Sequence, residues 1–241
     1  MKTELFPAIK FYRKTASTNA LACCYLDDHA FRKNFVICAR EQTAGVGRLE
    51  RSWYSPVGGL YCTLAFPDQH FPSSVTLFTG VVIHKVLSST FPDLHFSIKW
   101  PNDILVSGKK VGGILTSSNK HGTIIGMGID CNVERIPERL KGIATSLLIE
   151  TNKKVVLKRL LKVILKTFEE NLQFFNEFGF IHFVEYFEKF HSLANKKVVI
   201  HSGDTQLVGK VMGITDEGAL NLENENGLHT ILSADKIDIL N

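Results

Sequence analysis

The period at which apolar residues recur changes near Asn195, and this change limits the folds open to the chain. Before this point the longer apolar patterns have a helical period, whereas the last part alternates with a period of two. Four short apolar stretches follow, separated by turn residues, at 198–201, 207–213, 219–223 and 229–232. Short strands at this spacing predict a small β-barrel. We therefore expect a main domain at 1–192 and a small domain at 193–241.

The main domain mixes predicted strands with predicted helices. Its strands are predicted at 34–39, 59–66, 95–100, 104–106, 111–118 and 123–133. Its helices are predicted at 17–28, 73–91, 153–178 and 180–193. The last three strands follow one another through short turns, which favours antiparallel pairing. We expect an α+β fold, with a mixed or antiparallel sheet and helices on one side of it.

Composition argues against several classes of protein. The net charge of +4 is small and the lysines are scattered, which does not indicate nucleic-acid binding. The five cysteines include no C-x-x-C pair, so a zinc site and a disulfide framework are both disfavoured. No stretch approaches the roughly 18 apolar residues of a membrane span, and residues 1–10 lack the pattern of a signal peptide. These features predict a cytoplasmic protein that does not span a membrane.

Three segments combine glycine with charged or amide side chains beside a predicted strand. They are 41–53 (EQTAGVGRLERSW), 99–115 (KWPNDILVSGKKVGGIL) and 126–132 (GMGIDCN). Glycine lets a ligand approach the backbone, and arginine and lysine bind carboxylate and phosphate groups. None of the segments is a P-loop, and the glycines at 45 and 47 lack the third glycine of a dinucleotide-binding fingerprint. The residues alone predict an anion-binding cleft and favour a nucleotide as its ligand.

In their order and wording, five motifs resemble those of the biotin–protein ligases. They are Ser17-Thr18-Asn19, the loop and strand from Gly45 to Gly58, K-W-P-N-D at 99–103, and the segments 110–115 and 126–132. K-W-P-N-D is the most specific of them. Residues 198–239 are similar to the SH3-like barrel of that family. The resemblance covers almost the whole chain and implies a class II synthetase-like catalytic domain followed by an SH3-like β-barrel.

The chain departs from the family pattern at three positions. Val46 stands where the first arginine of the glycine-rich loop is usual, Glu50 where a glycine is usual, and Asp130 where an asparagine is usual. Glu50 adds negative charge near an expected anion. Asp130 is a better ligand for a hard cation than an asparagine would be.

The resemblance implies an ATP-using ligase. In the family, biotin and ATP give biotinyl-5′-AMP and pyrophosphate, after which a carrier lysine attacks the mixed anhydride and releases AMP. The implied acceptor is the biotin carboxyl carrier protein domain of acetyl-CoA carboxylase or of another biotin-dependent carboxylase. Mg²⁺ is implied beside ATP. Family members often pair through the edge of the sheet, so the resemblance also allows a homodimer.

The same resemblance implies roles for particular residues. Lys110 and Arg48 are the implied catalytic residues, since positive charge offsets the repulsion between a carboxylate and a phosphate. Biotin binding is implied for Ser17, Thr18, Asn19, Gln42, Gly45, Val46, Gly47, Arg48, Lys110 and Gly113. ATP binding is implied for Arg48, Arg51, Trp53, Asn102, Lys110 and Asn132. Asp103 and Asp130 are the implied ligands of Mg²⁺.

Other interpretations of the same residues stay open. Ser17 can simply cap a helix, Trp53 can be a core residue, and Arg48 can be a solvated loop residue. An enzyme of the related lipoate ligase type is one alternative function, and an inactive carrier-binding protein is another. A biotin-sensing repressor is a third. Ser17 stands too early to follow a helix-turn-helix domain of about 60 residues, so we expect a monofunctional enzyme that does not bind DNA.

Overall fold

The computed structural model describes residues 3–240, and its larger sheet has seven strands. They are β1 (Ala8–Tyr12), β2 (Phe35–Ala39), β3 (Leu60–Pro67), β4 (Phe96–Lys99), β5 (Asp103–Val106), β6 (Lys109–Asn119) and β7 (Gly122–Ile129). Their order across the sheet is β1-β2-β3-β7-β6-β5-β4. β1 pairs with β2 in parallel, whereas the other neighbouring strands are antiparallel. The predicted mixed sheet is therefore confirmed.

Three of the helices pack together on one face of this sheet. Residues 3–240 contain α1 (Thr18–Asp27), α2 (Val75–Thr90), α3 (Leu147–Thr151), α4 (Leu157–Phe178) and α5 (Ile181–Phe190). The three that pack together are α2, α4 and α5. Phe78 of α2 contacts Phe168 and Phe175 of α4 and Phe183 of α5. These rings bury the apolar stripe that the sequence predicts for α4. Within residues 3–240, no helix has the length and apolar character that crossing a bilayer requires.

α1 lies on the opposite face of the sheet. Its Ala22 and Leu26 pack with Phe35, Ile37 and Ala65, whereas the intervening residues of β2 and β3 point into the larger core. Successive side chains of a strand point to opposite faces, so the two clusters lie on the two sides of the sheet. The predicted α+β class is confirmed. The prediction that the helices lie on one side of the sheet holds for α2, α4 and α5, but α1 lies on the other side. The sequence of α1 shows an apolar stripe, but it does not indicate which face of the sheet this stripe covers.

The residues that follow α5 form a second, antiparallel sheet. Its strands are β8 (Lys197–Ser202), β9 (Thr205–Ile214), β10 (Leu220–Asn224), β11 (Gly227–Ile231) and β12 (Lys236–Ile239). Their order is β11-β10-β9-β8-β12. This confirms the small all-β unit that the period of two predicts. The domain boundary expected near Ser192 falls in the connection between α5 and β8.

The second sheet packs directly against the main domain. Trp100 Nε1 donates a hydrogen bond of 2.9 Å to the Gly218 carbonyl. The Ile214 amide donates one of 2.5 Å to the Glu188 carboxylate of α5. Apolar residues of both parts belong to one continuous core, in which Leu220 is buried together with Trp100. These contacts place the last strands of the chain beside the end of β4.

Candidate functional site

A cavity of about 520 Å³ lies over the paired strands β6 and β7. Its walls are the start of α1, the loop that precedes β3, residues 136–144, and residues 234–238 of the second sheet. Most of the residues singled out from the sequence line it, namely Ser17, Thr18, Asn19, Gln42, Val46, Gly47, Arg48, Arg51, Trp53, Asn102, Asp103, Lys110, Gly113 and Asp130. The three glycine-containing segments therefore meet at one place.

Two of the predicted binding residues do not line this cavity. Gly45 accepts a hydrogen bond from the Trp53 amide, and a Cβ at position 45 would lie 2.5 Å from Ser55 Oγ. Asn132 pairs with the backbone of Val155, accepting from its N–H at 2.7 Å and donating to its carbonyl at 2.9 Å. Asn132 thus anchors the segment before α4, and both ends of its amide are used there.

A cluster of neutral polar groups forms where α1 begins. The backbone N–H and the hydroxyl of Thr18 both donate to Gln42 Oε1, at 2.8 and 3.1 Å. Gln42 Nε2 in turn donates to Ser55 Oγ at 2.9 Å. Ser17 Oγ accepts a hydrogen bond from the Ala20 amide, so it caps α1 while facing the cavity. This cluster offers both donors and acceptors to an uncharged polar ligand.

Asn19 extends the polar cluster onto the floor of the cavity. It accepts a hydrogen bond of 2.6 Å from the Thr63 hydroxyl and donates one of 3.2 Å to the Leu115 carbonyl. A Cβ at position 126 would lie 2.0 Å from Asn19 Oδ1, so only glycine leaves room for Asn19 there. Gly128 is two residues further along β7 and faces the same side, roughly 7 Å away. The floor therefore runs from the polar cluster at Gly126 to Gly128.

Lys110 is the central positive charge of the site. Its Nζ lies 2.6 Å from Asp103 Oδ1, and its main chain is fixed by the Ile143 carbonyl and the Thr145 amide. A register shift between β5 and β6 separates the positions opposite Ile104 and Leu105. β-Bulges of this kind redirect side chains and are frequent beside functional sites. The Asp103 carboxylate therefore holds the ammonium at the wall of the cavity.

Asp130 is a buried carboxyl group on the wall of this cavity. Burial raises its pKa to about 7, although the nearby charge on Lys110 acts in the opposite direction. Its Oδ1 has no hydrogen-bond partner among residues 3–240. An asparagine, which is usual in the resembling family, would avoid this desolvation of charge.

The carboxylates of the site fit a magnesium ion that is held mainly by its nucleotide. Within the described part of the chain, no group of three His, Cys, Asp or Glu side chains is arranged to hold a metal. Four aspartates line the cavity instead, namely Asp103, Asp130, Asp235 and Asp238, and the first two lie in the main domain. Mg²⁺ usually binds in proteins through one or two carboxylates together with substrate phosphates. The two residues thus suit a nucleotide-bound ion and not a metal centre built by the protein alone.

The loop at 45–52 closes on itself with strained backbone at its tip. The Gly47 amide donates to the Arg51 carbonyl at 2.7 Å. Leu49 and Glu50 have φ of 54° and 56°, the left-handed region that favours glycine. The sequence predicted an irregular loop here and gave no sign of this turn. The glycine usual at position 50 in the resembling family would adopt it without strain.

Arg48 joins this loop to the second sheet. Its Nη2 donates a hydrogen bond of 2.8 Å to the Ala234 carbonyl. Burial lowers the pKa of its guanidinium, and the charge of Asp103 acts against that effect. Arginine remains protonated in proteins. The site therefore holds a permanent positive charge that is partly shielded from water.

Sequence reasoning missed two walls of the cavity. Ile136, Leu140 and Ile143 provide an apolar wall, and residues 234–238 provide the wall from the second sheet. Lys99 Nζ approaches the Ile237 carbonyl at 3.4 Å across this second wall. Isolated apolar residues in a polar connection were the only signal of the first wall. No sequence signal indicated that the second sheet reaches the site, because that contact is purely tertiary.

Together these groups suit a ligand pair with three chemical parts. The cluster at α1 suits an uncharged polar head, the cations Arg48, Arg51 and Lys110 suit carboxylate and phosphate, and the wall at 136–143 suits a flat apolar ring system. Backbone and cations aimed at one place can bring two anionic groups together.

Comparison with known proteins gives concordant matches along the chain. Residues 11–133 match the Biotin/lipoate A/B protein ligase family, and residues 194–235 match the Biotin protein ligase C terminal domain. The bifunctional ligase/repressor BirA of Bacillus spizizenii is 31% identical over 98% of this chain and 75% of its own length. The biotin–[acetyl-CoA-carboxylase] ligase of Paracoccus denitrificans is 28% identical over 83% of this chain and 88% of its own length.

A solved structure is also similar over nearly its full length. The biotin protein ligase from Aquifex aeolicus in complex with biotin and ATP superposes with a TM-score of 0.86 and is 30% identical, covering 98% of this chain and 99% of that one. The similarity includes the second sheet as well as the main domain.

Proposed function

Since the chain belongs to the biotin/lipoate A/B protein ligase family and is a biotin protein ligase, we propose that it activates biotin with ATP in the cavity over β6 and β7 and transfers it to a lysine of a carrier protein. One observation chiefly supports this proposal. The neutral polar cluster at Thr18 and Gln42 and the cations Arg48 and Lys110 line a single cavity.

Biotin would bind with its ureido ring at the start of α1. This ring is uncharged and needs both donors and acceptors, which Ser17, Thr18, Asn19 and Gln42 offer. Its acyl chain would follow the floor from Gly126 towards Gly128. The carboxylate would then reach Lys110 and exchange for the Asp103 carboxylate that contacts Lys110 in the structure.

The first chemical step would join two anionic groups. The carboxylate oxygen attacks the α-phosphorus of ATP, the acyl–phosphate bond forms, and the bond to pyrophosphate breaks. Lys110, Arg48 and Arg51 would offset the repulsion between the carboxylate and the phosphates and hold the attack in line. Arg48 is partly desolvated, which strengthens its interaction with the developing charge.

ATP would lie across the cavity from the polar cluster. Its adenine would pack on the apolar wall formed by Ile136, Leu140 and Ile143. Asn102 lines the cavity and would lie near the phosphates, but its Nδ2 already donates to the Ile114 carbonyl at 2.9 Å. Asp103 and Asp130 would assist a magnesium ion carried by ATP, which supplies further positive charge to the phosphates when it is bound.

In the second step a carrier lysine would attack the biotinyl carbonyl and release AMP. We propose the biotin carboxyl carrier protein domain of a biotin-dependent carboxylase, such as acetyl-CoA carboxylase, as the acceptor in the cytoplasm. The Paracoccus relative, which is named for that carboxylase, supports this choice. The loop at 45–52 would cover the anhydride and protect it from water.

The test is a direct assay of product. The protein is incubated with biotin, ATP, Mg²⁺ and a carrier domain, and intact-mass spectrometry measures whether one carrier lysine gains the mass of a biotinyl group. Lys110→Ala should abolish the gain, whereas Lys109→Ala, one position away on β6, should preserve it. Lipoate is supplied in a parallel reaction. A mass gain from lipoate and none from biotin would refute the proposal.

A further inference from the structure

Positive charge is concentrated at the start of α4. Residues 153–166 contain six cations and no carboxylate, namely Lys153, Lys154, Lys158, Arg159, Lys162 and Lys166. All six are exposed, whereas the other face of the helix is buried against the core. The net charge of the whole chain is only +4, so the rest of the chain is slightly acidic. The net positive charge of the molecule therefore lies on the surface that these six cations form, which we call the α4 surface.

This arrangement of charge opposes the stability of the helix. Lys158 and Arg159 lie in the first turn of α4, where the helix dipole favours acidic side chains and none is present. Lys158, Lys162 and Lys166 follow one another at intervals of four, so like charges are neighbours on successive turns. The acidic residues of the helix begin only at Glu169, towards the end that favours cations. Charge placed against local stability indicates a surface with a function.

The cations of the α4 surface are mostly unpaired. Within residues 3–240, Lys166 is the only one of them with a carboxylate oxygen within 4 Å, that of Glu170 at 3.5 Å. Lys158 Nζ instead lies 5.8 Å from the centroid of the Phe11 ring on β1. The charges are thus available to an anionic partner, and a partner that neutralised them would also relieve their mutual repulsion.

Exposed apolar side chains lie beside these cations. Val156 occupies the N-cap position of α4 and is 68% exposed, while Val163 and Phe11 are 39% and 51% exposed. Nucleic-acid phosphates are contacted by groups that donate hydrogen bonds, and they offer no apolar phase for a valine. An anionic bilayer offers both parts, since lysines bind its headgroups and apolar side chains enter the boundary with the acyl chains. The mixture favours a lipid surface over another polyanion.

We propose that the α4 surface binds reversibly to an anionic lipid bilayer, with its lysines at the headgroups and Val156 at the acyl boundary. α4 lies on the face of the sheet opposite α1, whose start forms one wall of the candidate site. A protein bound through α4 would therefore keep its cavity open to substrates. This peripheral contact is independent of the proposed function and adds to it a place at which the protein acts.

Vesicle flotation tests the proposal on the full chain. The vesicles contain phosphatidylcholine alone or phosphatidylcholine with about one-third phosphatidylglycerol. Wild-type protein should bind the anionic vesicles at least about thirtyfold more tightly than the neutral ones. About 0.5 M salt should remove most of this preference, because it shortens the screening length to about 4 Å. No preference for the anionic vesicles at low salt would overturn the proposal.

A variant that lacks three lysines locates the binding surface. Lys158→Gln, Lys162→Gln and Lys166→Gln together should weaken binding to the anionic vesicles about a hundredfold, since each lysine near such a surface contributes about fivefold. Glutamine is a good helix former, so α4 should stay folded and the thermal midpoint should not fall.

The matched control removes three exposed lysines of other elements and reaches the same net charge. It combines Lys33→Gln, Lys120→Gln and Lys210→Gln. This variant should keep most of the affinity of the wild type for the anionic vesicles. Equal weakening in the two triple variants would mean that net charge alone attracts the protein, and the α4 surface would then have no special role.

A single substitution distinguishes a bilayer from other polyanions. Val156→Ser removes an exposed apolar side chain and places a favoured residue at the N-cap of α4. It should weaken binding to the anionic vesicles about fivefold and leave binding to duplex DNA, measured by fluorescence anisotropy, unchanged. Tighter binding to DNA than to the vesicles would assign the surface to nucleic acid. That result, or vesicle binding that Val156→Ser leaves unchanged, would overturn the proposal.

Biotinylation of the carrier domain keeps this proposal separate from the proposed function. Without vesicles, both triple variants should modify the carrier as the wild type does, because the substituted residues lie outside the cavity. A loss confined to the α4 variant would assign the surface to the carrier and overturn the proposal. A wild type that binds vesicles and does not biotinylate contradicts the proposed function alone.

Discussion

Lys110 is the side chain whose partner would change most during the proposed reaction. Its Nζ is paired with Asp103 at 2.6 Å in the structure, and both side chains are partly exposed. A partly exposed ion pair of this kind positions the ammonium and leaves it accessible to another anion. In the proposed reaction this cation would serve the carboxylate and the phosphate in turn, and its effect would be largest in the state in which both anions are closest.

Replacing Lys110 with methionine should therefore affect rate more than binding. We expect biotin-dependent release of pyrophosphate to fall by about a hundredfold or more and biotin affinity to fall by less than tenfold, since charge stabilisation in the transition state is lost. Pyrophosphate release and titration calorimetry measure the two quantities. Lys109→Met is the matched control. Equal losses of rate and affinity would show that Lys110 acts only in ground-state binding.

The backbone conformation of Glu50 leads to a second prediction at the scale of single residues. Its φ of 56° places a side chain in the left-handed region. Glu50→Gly should remove about 1 kcal/mol of backbone strain, partly offset by the entropy that glycine adds to the unfolded chain. We expect a thermal midpoint that is unchanged or higher by up to about 4 °C, measured by calorimetry.

Glu50→Ala is the control, because it removes the same charge and keeps Cβ. It should not share the gain in stability. A clear loss of stability in Glu50→Gly would mean that contacts of the glutamate outweigh the strain.

At the scale of the elements, the sequence predicted those with strong periodicity. The apolar stripe of α4 and the run of β2, in which all five residues are buried, both indicate their structure directly. β1 and β12 were not predicted as separate strands. They are short edge strands with part of their residues exposed, and they exist because a neighbouring strand supplies their hydrogen bonds. That pairing is tertiary and leaves little periodic pattern.

Much of the candidate site followed from the order of its motifs, while its closing walls did not. Asn132 shows the limit of reasoning from motifs. It lies in a glycine-containing segment beside the cavity, yet its amide pairs with Val155, 23 positions further along the chain. Only the folded path of residues 133–155 brings that partner near.

Asn132 should therefore matter for stability more than for binding. Asn132→Ala removes two hydrogen bonds that anchor the segment before α4 and should lower the free energy of unfolding by about 1–3 kcal/mol. Affinity for ATP, measured by calorimetry on folded protein, should change little. Asn132→Asp keeps the acceptor for the Val155 amide and should lose less stability. Intact stability with a large loss of ATP affinity would instead favour the nucleotide role implied by the resemblance.

At the scale of the whole molecule, the second sheet completes the cavity of the first. Arg48 and Lys99 donate to carbonyls of Ala234 and Ile237, so two cations of the main domain are held by the small one. The junction between the two domains contains His191, whose backbone pairs with that of Ile98 in an isolated β-bridge. Stability of this junction and geometry of the site are consequently linked.

His191 makes this junction sensitive to acid. Burial, with a smaller effect of Lys196, lowers its pKa to about 4, and its ring nitrogens have no hydrogen-bond partner in the part of the chain that is described. The unfolded chain binds a proton near pH 6.5, so stability from neutral His191 is complete above that pH and is lost as pH falls towards 4. This loss is about 3 kcal/mol. The difference in urea-unfolding stability between His191→Leu and the wild type should be constant above about pH 7 and should grow in favour of His191→Leu between pH 6.5 and 4. The Glu188 carboxylate lies 3.9 Å from His191 Nδ1, and burial raises its pKa. Both proteins keep Glu188, so its own titration contributes to both stability curves. Parallel curves for the two proteins over that range would show that His191 is protonated without cost in the folded state.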